Sequence, residues 1–187
     1  MRKLSILSYI FAGLMLSSCD GYLKEDPRDQ LYPEDAYDTP QNVYLNTVAS
    51  LYNYIGGYSD SQGLQGTYRG VYDLNTFTTD EAMLPTRGGD WYDGGFWQGL
   101  FLHKWGTNSD AIQATWEYLY KVIVLSNQSL EILGELRQKT DYNDLDRYEA
   151  EVRAFRAMYY YYLMDLFARV PIVESSSVAI KDLKQNE

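Results

Sequence analysis

Between residues 80 and 108 the chain gathers side chains that could do chemistry: Asp80, Arg87, Trp91, Tyr92, Trp97, His103, Trp105 and Asn108. Sugars present hydroxyls that hydrogen-bond and CH faces that stack on aromatic rings. A site for them therefore wants Trp or Tyr beside Asp, Asn, Arg or His. The same stretch holds two close acidic pairs, Asp80-Glu81 and Asp90/Asp93, the minimum for carboxylate-based glycoside hydrolysis. Neighbouring carboxylates in a glycine-rich loop ordinarily shape turns or face solvent, so catalysis is not expected. His103 is the only histidine and Cys19 the only cysteine. No Ser-His-Asp set can be built away from His103, and no metal-ligand spacing exists, so neither a metal nor another cofactor is expected.

The bulk composition narrows the partners. The 187 residues suffice for one domain, and aromatic residues make up 16%, with 19 tyrosines. A net charge of −10, with no Lys/Arg cluster, argues against a nucleic-acid partner. A neutral ligand or a protein partner suits it better.

The N-terminus reads as a leader. Arg2 and Lys3 precede an apolar run from Leu4 to Leu16, too short to span a bilayer. Leu16-Ser17-Ser18-Cys19 has the form of a bacterial lipobox, a branched residue and two small ones before Cys. Residues 1–18 are thus expected to be a lipoprotein signal peptide, and Cys19 to carry the lipid. Residues 19–38, polar with Pro27 and Pro33, read as the lipidated N-terminus and its tether. More than one acyl chain at ~0.8 kcal/mol per buried CH₂ would anchor it stably.

Helices must position the 80–108 residues. Thr39-Pro40 predicts a helix start, and Gly56-Gly57 its end. From Tyr58 to Thr107 no helical period holds, which predicts a long irregular loop, the kind that usually carries function. Asp110 is placed to cap a helix from Ala111 to Leu133, with Gly134 and 139–143 as a turn. The next helix is expected over about 145–168, stopped by Val170-Pro171.

Projected at 100° per residue, that last helix has two apolar faces. Tyr148, Val152, Phe155, Tyr159, Tyr162 and Leu166 form a bulky one; Ala150, Ala154, Ala157, Tyr161, Met164 and Ala168 form an alanine-rich one. Glu149/Arg153 and Asp165/Arg169 are expected to pair on the flanks. Two apolar faces predict a helix sandwiched between neighbours. The four tyrosines 159–162 sweep 300°, so they are expected to pack rather than form a platform. The fold class is all-α, with tetratricopeptide-like helical hairpins and a long irregular loop region.

Several stretches, in order, resemble the SusD/RagB family of outer-membrane nutrient-binding lipoproteins. They are the lipobox with "YLKEDP", "TTDE" at 78–81, "PTRGGDWYDGGFW" at 85–97, "HKWGTN" at 103–108, the segment led by Trp116, and "AEVRAFRAMYYYYLMDLFARVPIV". Phe155 stands where the family has Leu and Ala168 where it has Gly, both read as size changes at packing positions. The likeness covers only the family's N-terminal portion, so residues 39–187 are expected to be an incomplete SusD-like helical domain. It implies a surface-exposed, non-catalytic lipoprotein of the outer membrane. Such a protein binds oligosaccharide, by motif a starch-like one, and hands it to a SusC-type TonB-dependent transporter. The alternatives are a transporter-associated lipoprotein without sugar binding, or a glycoside hydrolase. By motif matching the glycan-binding residues are Asp80, Arg87, Trp105 and Asn108, with Arg87 held by Asp80, and His103 in the place of an aromatic platform. Trp91, Tyr92 and Trp97 are expected to pack.

Overall fold

The first helix, α1, covers residues 40–52. The Thr39 hydroxyl accepts the Asn42 N–H at 3.1 Å, with Pro40 at the first helical position. Its middle, Leu45–Ala49, is a π turn. Val43 and Val48 would lie about 140° apart on an α-helix. The wider turn brings both onto the buried face with Leu51. These positions come from a computed structural model that describes residues 35–56, 63–64 and 70–185. The leader, Cys19 and most of the expected tether lie outside the described residues.

Tyr37–Glu187 makes one unit. Within it follow α2 (Val71–Phe77) and α3 (Phe96–Phe101), then α4 (Asp110–Lys139) and α5 (Leu145–Phe167). Two-residue strands β1 (Pro171–Ile172) and β2 (Lys184–Gln185) pair antiparallel. The described chain is mostly helical, as expected for an all-α protein. No helix among the described residues is long and apolar enough to cross a membrane.

Helices α4 and α5 form an antiparallel hairpin, because Trp116 meets Phe167 and Tyr118 meets Tyr159. Between and beneath them lies the main core, with Leu119, Val122, Ile123, Val152, Tyr159 and Leu163 at its centre. A polar seam holds it in register. Tyr118 donates to the Tyr54 carbonyl, and its hydroxyl lies 2.8 Å from that of Tyr159. Tyr118 has one proton, so Tyr159 is the donor to it. Buried Asn127 accepts from Arg156 at 2.5 Å and donates to the Val173 carbonyl at 2.9 Å. Tyr160 clasps Val173 through both backbone groups, and Tyr120 donates to the Pro171 carbonyl at 2.7 Å. The segment after α5 is thus stitched to the hairpin.

Several sequence expectations change. The expected loop over 58–107 contains α2 and α3. Gly134 does not end α4, which runs on to Lys139. One glycine costs about 1 kcal/mol, and packing of neighbouring Leu133, fully buried, outweighs it. The alanine-rich face of α5 is exposed, from Ala150 through Tyr161 to Met164. A sandwich needs a layer on each side, and the described residues supply one. Glu149 and Arg153 pair as expected, at 2.6 Å. Asp165 and Arg169 do not. Ala168 has φ 60° and ψ −67°, and Arg169 N–H donates to the Phe167 carbonyl at 2.7 Å. That is a γ-turn of the strained hand. It ends the helix and removes Arg169 from the i,i+4 geometry. Position 168 is thus governed by backbone conformation, not by packing size, and a glycine would suit it.

Candidate functional site

A second, smaller core sets the site. Trp97, 3% exposed, packs with Leu74 and Leu100. Its ring meets Phe77 edge-on at 5.1 Å and Phe96 at 4.9 Å. Its indole N–H donates to Asp93 at 2.8 Å. Partly buried Ile112 of α4 and Leu166 of α5 close the cluster. Helices of six and seven residues are too short to persist alone. Trp97 therefore holds α2 and α3 together, against the start of α4 and the end of α5.

From the end of α3 the chain reverses sharply. Leu102, His103 and Lys104 N–H groups donate back to Gln98, Leu100 and Gly99 carbonyls. His103 takes a left-handed φ of 55°, uncommon for a residue with a side chain. Its Nε2 lies 2.7 Å from the Thr78 carbonyl. A carbonyl only accepts, so Nε2 carries the proton. The imidazole also lies against the Trp105 ring, centroids 5.2 Å apart. His103 therefore ties Trp105 to the end of α2.

Trp105, 45% exposed, lines two clefts at once, together with Leu100 and Gly106. The first, about 400 Å³, adds Asp93, Phe96, Lys104, Asn108 and Ser109. The second, about 370 Å³, has an apolar floor that includes Leu74, Ile112 and Phe167, and a rim of Asn75, Thr107 and Asp165. Both have the size of small-ligand pockets. Aromatic surface beside amide, ammonium and carboxylate groups can stack on a sugar ring and bond its hydroxyls.

Of the residues singled out from sequence, the fold brings His103, Trp105 and Asn108 together. Asp80 and Arg87 line neither cleft. Both are exposed, and no ion pair joins them among the described residues. Arg87 instead exchanges backbone hydrogen bonds with Asp90, at 3.2 and 3.1 Å. Trp97 packs as expected; Trp91 and Tyr92 do not, being 53% and 55% exposed. Trp91 and Asp93 have positive φ, as do Gly94 and Gly95, and this turn lifts the two rings off the core. Trp91 touches Trp97 only edge-on, at 6.4 Å. Asp93 accepts from the Trp97 indole. The sequence reading missed Asn75, Lys104, Thr107 and Asp165. Lys104 was within reach, since it adjoins Trp105; Asp165 had been assigned to an ion pair that does not form. Among the described residues no three His, Cys, Asp or Glu side chains gather as metal ligands.

The fold and this aromatic, polar-rimmed site agree with a family match over residues 32–186, to a SusD-like family described as starch-binding and associating with the outer membrane. The chain belongs to that family. A SusD-like protein of Formosa agariphila is 25% identical over 175 residues, covering 91% of this chain and 31% of the relative. The chain thus spans about a third of that relative's length.

Proposed function

We propose that this chain is a non-catalytic, lipid-anchored outer-membrane protein that binds oligosaccharide and passes it to a SusC-type TonB-dependent transporter. The observation that carries the reading is Trp105, half-exposed at the joint of two clefts and steadied by His103, with Asn108 in one of them. Trp97, which is buried, is a packing residue; Trp105 is not spent on the core. Asn108 would donate to and accept from sugar hydroxyls. His103 positions the platform rather than serving as one. Asp80 and Arg87 are proposed as outer contacts, for a ligand long enough to reach the 78–92 segment. Anchoring is proposed through Cys19, and surface exposure follows from the role in uptake.

Isothermal titration against a panel of α- and β-linked glucans and mannans tests this. Saturable binding without products is expected, weakened about five- to a hundredfold in Trp105→Ala, taking the stacking loss as comparable to the ~1–3 kcal/mol of a base on an aromatic side chain. Failure of every glycan to bind refutes it for this chain, and turnover refutes the non-catalytic reading.

A further inference from the structure

Building on the glycan-binding reading, we infer that the second cleft is a second sugar subsite, so that the bound oligosaccharide crosses Trp105 and Gly106 from one cleft into the other. The two clefts share Leu100, Trp105 and Gly106 and so adjoin along one ridge. Trp105 supplies ring surface to both. Each side has its own hydroxyl-binding groups. Lys104 and Asn108 serve the first; Asn75, Thr107 and Asp165 serve the second.

The second cleft has the chemistry a sugar needs. Its floor is aliphatic and aromatic, fit for the CH face of a ring. Its rim combines an amide, a hydroxyl and a carboxylate. Asp165 and Asn75 make no side-chain hydrogen bond or ion pair among the described residues, so neither is committed to the fold. Asp165 is released because the γ-turn at Ala168 carries Arg169 out of reach. A lone carboxylate within an acidic chain suits hydroxyl donors better than an anion.

Gly106 keeps the passage open. A Cβ there would meet nothing within 4 Å, and its φ is not positive. Neither packing nor backbone demands glycine at this position. A side chain would instead stand on the ridge where a glycan crosses.

The test is titration of the full chain with disaccharides and hexasaccharides of α-1,4-glucan, β-1,4-glucan and β-1,4-mannan. The hexasaccharide of the bound series should bind at least tenfold more tightly than its disaccharide. Asn75→Ala and Asp165→Ala should each weaken the hexasaccharide about three- to tenfold and leave the disaccharide unchanged. Asn108→Ala should weaken both. Gly106→Leu, which the open space around Gly106 lets fold normally, should bring the hexasaccharide down to the disaccharide's affinity. Equal affinity for the two lengths, or full hexasaccharide affinity in the second-cleft variants and Gly106→Leu, overturns the inference and leaves single-cleft binding standing. No binding by any series overturns both readings.

Discussion

Ala168→Gly should make this protein more stable. Ala168 sits at φ 60°, ψ −67°, in a γ-turn closed by the 2.7 Å bond from Arg169 N–H to the Phe167 carbonyl. A side chain at positive φ costs roughly 1–2 kcal/mol, because Cβ crowds the backbone. Glycine relieves that strain but gives the unfolded chain about 0.5–1 kcal/mol more entropy. Ala168 is exposed, so its methyl contributes little burial. The net is a gain of about 0–1.5 kcal/mol, centred on about 0.75, or a Tm rise of up to roughly 6 °C for a chain of this size. Ala154→Gly is the control. It is the same chemical change at an exposed position inside α5, where glycine costs about 1 kcal/mol and should lower Tm. Thermal melts followed by far-ultraviolet circular dichroism compare the two. Opposite signs are expected. A Tm loss in Ala168→Gly as large as in Ala154→Gly would refute the γ-turn reasoning and return position 168 to a question of side-chain size.

Neighbouring tyrosines of the 159–162 run should respond very differently. Tyr159→Phe removes the buried donor to Tyr118 and should cost about 1 kcal/mol, whereas Tyr161→Ala, at a side chain 59% exposed, should stay within about 0.5 kcal/mol by urea denaturation. Comparable losses would show that the alanine-rich face is covered. At high pH, burial pushes Tyr118 up to about 12 and also raises Tyr159 and Tyr120 above the ordinary value of 10.0. Groups raised on folding stabilise fully below pH 10 and lose that contribution as pH climbs toward 12. Tyrosinate absorbance should therefore show a cooperative, unfolding-linked step above pH 10; a smooth titration without unfolding would contradict the buried seam. For the anchor, Cys19→Ser should abolish palmitate labelling and release the chain from membranes; continued labelling would remove the lipobox reading.

The long helices were legible because their apolar period repeats over many turns, and Thr39-Pro40 because a cap is a local event. Arg153 was legible as a structural group from its i,i+4 spacing to Glu149, and it pairs there. The tyrosine run was legible as packing by arithmetic alone, since four successive residues cannot share a face; Tyr159 and Tyr160 do pack, and only Tyr161 is left outside. The π turn in α1 was hidden in a spacing that looks like an imperfect α-helix. Helices α2 and α3 were hidden because six or seven residues carry too little period to read, and their stability comes from Trp97. Gly134 misled because a weak propensity was weighed without the packing on either side of it.

By itself, the sequence determined what is local or periodic: an all-α chain, its family and the two long helices; the segment around Trp105 it offered as a candidate site. Tertiary structure alone decided which side chains share that place. The clefts on either side of Trp105 draw on α2, the turn after α3, the start of α4 and the end of α5, brought together by the small core around Trp97. No spacing along the chain encodes that meeting. It also freed Asp165, through one strained residue past the end of α5, and left Asp80 and Arg87 apart. Side chains distant in sequence become neighbours only when burial of apolar faces chooses how the helices stack.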